Sequence, residues 1–197
     1  MGILISFSGI DGAGKSTQIK LLKKYLVGKG KKTYITEEMF GYFLLKPLIG
    51  LLRSVTGSPS KGPVKRNRKA LLKLWFIPAF ADIWLMHFIK IRPMLKKYDV
   101  VIADRYYYDI WANLLYYGYV PNWAFHFFLK RLPGPDNRLF LKVGYKTVLK
   151  REAEFPPEYY KEQAKIYDTL SGIIQFYQLD ASDGPKEVFR RIKNGIR

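Results

Sequence analysis

The chain has 197 residues, of which 48% are apolar and 16% aromatic, with 34 Lys+Arg against 16 Asp+Glu and no cysteine. This length supports one domain with a sizeable core, the apolar content excludes a disordered chain, and the lack of cysteine excludes a disulfide framework or thiolate metal site. The formal charge of +18 favours polyanionic partners (nucleotides, nucleic acid or anionic lipid) and carries no information about fold. The stretch "MGILISFSG" runs straight into a glycine-rich loop with no charged segment and apolar signal core, so no signal peptide is expected. With the missing cysteines, this predicts a cytoplasmic protein.

In chain order, "ILISFS" (3–8) reads as a short apolar strand, and "STQIKLLKKYLVGKG" (16–30) as an amphipathic helix stopped by Gly28 and Gly30. "TYIT" (33–36) is a second strand. "FGYFLLKPLIGLL" (40–52) and "LWFIPAFADIWLMHFIKI" (74–91) are apolar but interrupted by Lys46 and Pro47, and by Pro78, Asp82, His87 and Lys90. Both are expected to be buried helices rather than membrane spans, which need about 20 mainly apolar residues. The basic, Gly/Ser/Pro-rich stretch 56–69 is either a mobile substrate-side loop or a solvated connection. A long helical region is predicted over 67–97, interrupted near Pro78 and Pro93. "DVVIA" (99–103) is a third strand, and helical patterns follow at 106–117 and 122–131. "NRLFLKV" (137–143) is a fourth strand, followed by helices at 145–152 and 157–177. "YQLDAS" (177–182) is a fifth strand, and the helix at 184–196 carries Pro185 in its first turn. Strands separated by helices predict parallel βαβ units in a single three-layer α/β domain spanning 1–197.

The chemistry is concentrated in "GIDGAGKS" (9–16), which fits G-x-x-x-x-G-K-[ST] between a strand and an amphipathic helix. The glycines allow a tight turn that aims backbone N–H groups inward. Together with the helix N-terminus, these groups form an anion nest for phosphates. Gly9, Asp11, Gly12, Ala13, Gly14, Lys15, Ser16 and Thr17 are therefore the candidate nucleotide-binding residues. Lys15 would neutralise the β- and γ-phosphates, and Ser16 would offer its hydroxyl to Mg²⁺. A nucleoside triphosphate with Mg²⁺ is thus the expected ligand pair. Asp104 and Arg105 follow the third strand at its carboxyl end, where ligands bind in such sheets. Asp104 is a candidate for holding a metal-bound water, and Arg105 for clamping a phosphate or orienting an acceptor.

With these motifs in place, the sequence resembles the thymidylate kinase family of P-loop nucleoside and nucleotide kinases. The resemblance lies in "FSGIDGAGKSTQ", in "IRPMLKKYDVVIADRY", in "PDNRLFLKV" followed by "VLKRE", and in "LDASDGPKEVFRRI". It implies a P-loop kinase fold with a five-stranded parallel sheet, ATP and Mg²⁺ as donor, and transfer to a small nucleotide, most readily thymidylate. Carried over residue by residue, it places Asp11 near the metal or the acceptor, Arg105 on the acceptor phosphate, and Arg151 in a short lid at 150–158. Outside the resemblance, Arg151 reads equally as an exposed helix charge.

Two departures bear on the acceptor. "TEEM" (36–39) stands where the family shows Thr-Arg-Glu-Pro, and Ala81, Asp82 and Ile83 stand where it shows a base-reading arginine. A carboxylate at Glu37 repels an acceptor phosphate. It suits a hydroxyl acceptor instead, since Glu37 or Glu38 could take the proton as general base for a nucleoside, sugar or lipid-linked alcohol. Both glutamates also read as a solvated strand end. Phe80, in the aromatic stripe of the long helix, either stacks on an acceptor base or packs inward with the stripe. The aromatic stretch 105–128 has helical spacing suited to core or a subunit interface, which is compatible with a homodimer. A nucleic-acid or anionic-surface role from charge and stacking is the lower-ranked alternative.

Overall fold

The computed structural model describes residues 1–37, 71–151 and 154–196, together with Ser54 and Gly57. Glu38, the apolar stretch 40–52, the basic stretch 56–69 apart from Gly57, and lid positions 152 and 153 lie outside the described residues, as does the side chain of Glu37.

Five strands, β1 (Ile3–Ser8), β2 (Thr33–Glu37), β3 (Val100–Asp104), β4 (Asn137–Lys142) and β5 (Tyr177–Asp180), form one parallel sheet in the order β2-β3-β1-β4-β5. The expected five-stranded parallel α/β architecture is present. Leu4, Ile5 and Phe7 of β1 and Val100–Ala103 of β3 are almost fully buried, as apolar runs covered on both faces should be. Among the described residues the α-helices are α1 (Lys15–Gly28), α2 (Phe76–Met86), α3 (Arg92–Lys97), α4 (Tyr107–Tyr116), α5 (Asn122–Leu129), α6 (Tyr145–Arg151), α7 (Pro157–Ile173) and α8 (Pro185–Gly195). α1 and α8 pack together through Tyr25 and Phe189, whose rings meet edge-on at 6.0 Å. After β1 the chain crosses to β2 and β3 on one side, while β4 and β5 lie on the other. The carboxyl end of β1 is therefore where the strand order diverges, and a crevice opens there.

The expected breaks near Pro78 and Pro93 do not occur. Helical structure runs from a 3₁₀ turn (Leu71–Trp75) through α2, a π turn (His87–Ile91) and α3. Pro78 is the third residue of α2, in the first turn, where a missing N–H costs little. Pro93 sits in the first turn of α3, immediately after the π turn has shifted the hydrogen-bond register. The expectation of a buried helix at 74–91 is met on one side only. Phe76, Ala79, Asp82, Ile83, Met86 and Ile91 are buried. However, only 33% of the most apolar window of Leu72–Lys97 is buried, and by length and composition this helix is long enough to cross a membrane.

Candidate active site

The residues that shape the crevice begin where β1 ends. Gly9 takes φ +142, and a Cβ there would stand 2.7 Å from the carbonyl oxygen of Leu141 on β4. Gly12 and Gly14 take φ +75 and +85, and Gly14 is the N-cap of α1. These are left-handed conformations that side-chain-bearing residues rarely adopt. The loop therefore turns tightly and presents the N-terminus of a 14-residue helix to a cavity of about 780 Å³. The cavity is lined by Asp11–Gln18, Asp104, Arg105, Arg151, Ala181–Pro185 and Val188.

Lys15 is buried, and its ammonium donates to the carbonyls of Gly9 (2.7 Å) and Ile10 (2.8 Å). Burial lowers its pKa to about 8, opposed by the negative charges of Asp109 and Asp104. The lysine is thus parked on its own loop, with its charge only partly stabilised until an anion enters. Ser16 and Thr17 are exposed at the start of α1 and line the cavity.

Asp104 ends β3 beside Phe7 of β1 and Glu37 of β2 in the strand register. The next residue, Arg105, has φ +62 and is the one non-glycine described residue with positive φ. A left-handed conformation costs such a residue about 1–2 kcal/mol. It is held by the Arg105 N–H bond to the Phe7 carbonyl (3.2 Å) and by an ion pair between its guanidinium and Asp11. The other oxygen of Asp11 accepts from the Tyr159 hydroxyl at 3.0 Å. Burial pushes the Tyr159 phenol up, so it remains a donor. Arg151, the last residue of α6, donates to the Ala181 carbonyl (2.9 Å) and also lines the cavity.

The structure brings together Gly9, Asp11, Gly12, Ala13, Gly14, Lys15, Ser16, Thr17, Asp104, Arg105 and Arg151 around or beside one cavity. Glu37 stands at the neighbouring strand end through its backbone register. Phe80 is not among the cavity-lining residues, and its ring packs against Phe128 (4.8 Å) and Trp111 (6.1 Å).

The donors fit Mg²⁺. Ser16 supplies a hydroxyl and Asp104 a carboxylate, and both line the cavity. No cluster of three or more His, Cys, Asp or Glu suited to a metal occurs among the described residues. Mg²⁺ characteristically takes one or two protein groups and completes its octahedron with phosphates and water, so such a sparse set is appropriate.

Sequence reasoning passed over Asp109. This fully buried carboxylate on α4 sits directly behind the phosphate loop. One oxygen accepts from Ser8 Oγ (2.7 Å) and the Tyr106 N–H (2.9 Å), and the other from the Tyr167 hydroxyl (2.5 Å) and, at longer range, the Gly9 N–H (3.4 Å). The available signal was a lone acid three residues into an aromatic-rich helix, in the N3 position that bonds back to the N-cap. Tyr159 and Tyr167 gave no local signal. Their partners lie 148 and 58 residues away.

The sequence model of the family described as Thymidylate kinase matches residues 7–192. A probable thymidylate kinase of Thermococcus gammatolerans is 38% identical over 114 residues, covering 55% of this chain and 50% of that protein. A thymidylate kinase of Bifidobacterium longum subsp. infantis is 36% identical over 107 residues, covering 53% of this chain and 42% of that protein. These two matches span about half or less of the length of those relatives. A thymidylate kinase of Dehalococcoides mccartyi is 29% identical across 100% of this chain and 96% of its own length. With the family model covering nearly the whole sequence, and a glycine loop, buried lysine and strand-end Asp-Arg pair around one cavity, the chain belongs to the thymidylate kinase family.

Proposed function

We propose that this protein transfers the γ-phosphoryl group of ATP to a nucleoside monophosphate, thymidylate foremost, with residues 1–197 acting as one kinase domain. The supporting observation is the buried Lys15, whose ammonium lies on the carbonyls of the phosphate loop and which lines a cavity together with Asp104 and Arg105. Phosphoryl transfer needs positioning and charge neutralisation more than covalent chemistry. The loop amides and the N-terminus of α1 bind the donor phosphates. Lys15 leaves the two carbonyls to neutralise the transferring group. Ser16 and Asp104 would hold Mg²⁺, which would supply charge neutralisation to the phosphates when bound. Arg105 gives up Asp11 to hold the acceptor phosphate, and Arg151, lining the same cavity, adds a further positive charge. An acceptor oxygen forms the new bond to the γ-phosphorus as the bond to the β–γ bridging oxygen breaks, leaving ADP and a nucleoside diphosphate.

A second reading is favoured by one observation. Glu37 ends β2 in register with Asp104, bringing another acidic residue to the acceptor side of the sheet. Glu37 or Glu38 would then act as general base for a hydroxyl acceptor. A coupled ATP-turnover screen of nucleoside monophosphates, nucleosides and sugars separates the two. Thymidylate should give the highest kcat/KM, and preferential turnover of a hydroxyl acceptor would refute the first reading. In either case Lys15→Ala should lower turnover by about a hundredfold or more in a folded protein.

A further inference from the structure

One side of α7 reaches the phosphate loop at two points. Tyr159, Gln163 and Tyr167 are spaced four residues apart, so their side chains leave the helix on the same face. The Tyr167 hydroxyl donates to Asp109, which also accepts from the Gly9 N–H at the start of the loop. The Gln163 side-chain N–H donates to Asn113 Oδ1 on α4 at 3.1 Å. The Tyr159 hydroxyl donates to Asp11, further along the same loop, at 3.0 Å, and Asp11 is ion-paired with Arg105. The Tyr159 ring is held by Phe155 at 4.4 Å, by Tyr116 of α4 edge-on at 5.2 Å and by Tyr160 edge-on at 5.3 Å. Tyr160 is itself fully buried, and its hydroxyl accepts from the Glu154 N–H at 3.0 Å. Three neighbouring rings thus fix Tyr159 without help from its hydroxyl, which is directed at Asp11 and kept protonated by burial.

We propose that Tyr159 is a positioning residue for the acceptor side, whose hydroxyl holds the Asp11 carboxylate when Arg105 leaves it for an acceptor phosphate. The inference rests on the acceptor-side reading of Arg105. In the resting site Asp11 is shared, with one oxygen on the guanidinium and the other on the phenol. Once the guanidinium turns to a phosphate, the carboxylate loses its counter-ion while only 28% exposed. The bond from Tyr159 strengthens at that moment, because a donor is held more tightly by an uncompensated carboxylate than by one already paired with a cation. This lowers the cost of releasing Arg105. It also partly offsets the Asp11 charge, which would otherwise repel the incoming phosphate. Without the hydroxyl, Asp11 would keep Arg105 more firmly and compete with the acceptor. The donor side stands apart from this chain of contacts, since Lys15 rests on the carbonyls of Gly9 and Ile10.

Titration calorimetry of thymidylate, and separately of ATP with Mg²⁺, into the full chain reads the effect without turnover. Tyr159→Phe keeps the ring contacts, and circular dichroism verifies that it is folded. It should weaken thymidylate binding about fivefold while changing ATP affinity less than about twofold. In an Asp11→Ala background no carboxylate holds Arg105, so adding Tyr159→Phe should change thymidylate affinity less than about twofold. A tyrosine that only packs α7 would give the same loss in both backgrounds. Unchanged thymidylate affinity in Tyr159→Phe, an equal loss for ATP, or a loss that persists with Asp11→Ala would each overturn the proposal. Arg105→Ala separates that failure from failure of the reading beneath it. If Arg105→Ala weakens thymidylate and Tyr159→Phe does not, the arginine keeps its role and the tyrosine has none in its release. If the wild-type chain binds no thymidylate, or Arg105→Ala binds it equally well, the acceptor-side reading of Arg105 falls and the role of Tyr159 with it.

Discussion

Asp109→Asn tests whether a carboxylate behind the phosphate loop sets the properties of that loop. In the native protein both carboxylate oxygens face backbone N–H groups, Tyr106 on one side and Gly9 on the other, as well as the hydroxyls of Ser8 and Tyr167. An amide can satisfy only one of these sides as an acceptor. The less costly arrangement keeps its oxygen on Ser8 and Tyr106, turns the Tyr167 hydroxyl into an acceptor, and opposes the amide N–H to that of Gly9. Three short charge-assisted bonds become neutral ones, each losing about 1 kcal/mol. Relief of a buried charge returns part of that loss. A net destabilisation of about 2 kcal/mol should lower Tm by about 4–8 °C in a chain of this size. The charge has a second consequence. Asp109 is the larger of the two charges that oppose the burial-driven fall of the Lys15 pKa. Without it, that pKa drops below its present value of about 8, and the alkaline limb of kcat/KM for ATP should move to lower pH. Scanning calorimetry and a pH–rate profile read the two effects separately. An Asp109→Asn enzyme with wild-type Tm and an unmoved alkaline limb would refute the reasoning.

In the wild-type enzyme, kcat/KM for ATP should fall as pH rises through about 8, where free Lys15 loses its proton, while kcat at saturating ATP persists to higher pH because bound phosphates stabilise the ammonium. The proton is held less tightly in the fold than in the unfolded chain, so the Lys15 contribution to stability should increase between about 8 and 10.5, opposite to the activity, as chemical denaturation across that range will report. Gly9→Ala forces a Cβ toward the Leu141 carbonyl at φ +142, and should cost about 2 kcal/mol in denaturant unfolding along with most ATP affinity. Arg105→Ala removes a charge-assisted contact worth about 2 kcal/mol, so KM for the acceptor should rise about thirtyfold with KM for ATP changing far less. Equal losses for both substrates would count against its acceptor-side role.

The sequence carried the sheet and the donor loop well because both are local. "ILISFS" followed by three glycines, a lysine and a serine encodes strand, turn and helix N-terminus in 14 residues, and β1 and α1 follow that order. The Asp-Arg pair was readable because a buried β-branched strand must end where its carboxyl edge meets ligand. What stayed hidden depends on contacts between distant elements. Asp109 looks like the one acid in an aromatic-rich helix until Ser8, Gly9 and Tyr167 converge on it. Tyr159 reaches Asp11 from α7 across the fold. The expected breaks at Pro78 and Pro93 failed because helix propensity treats proline by residue type. In the fold, one proline lies in a first turn and the other behind a π turn. The apolar helix at 74–91 was read as core because periodicity cannot say whether anything covers the second face.

The charge distribution separates the nucleotide site from the rest of the molecule. The described residues lining the cavity include three cations, Lys15, Arg105 and Arg151, and three acids, Asp11, Asp104 and Asp183, with Asp109 directly behind the loop. The cavity lining is therefore formally neutral within a chain of charge +18. Triphosphate binding must rest on short-range features: loop amides, the N-terminus of α1, a lysine released from two carbonyls, and the cation that accompanies ATP. Such contacts are buried and weakly screened. The surplus positive charge lies elsewhere, including on 71–97 and 121–132, where it is exposed and strongly screened. Raising ionic strength from about 0.01 to 0.15 M shortens the Debye length from about 30 to 8 Å. Across that range KM for ATP should change less than about threefold. A much larger rise in KM would mean that the nucleotide site draws on the long-range field of the surface, and the assignment of donor binding to the loop amides would be wrong.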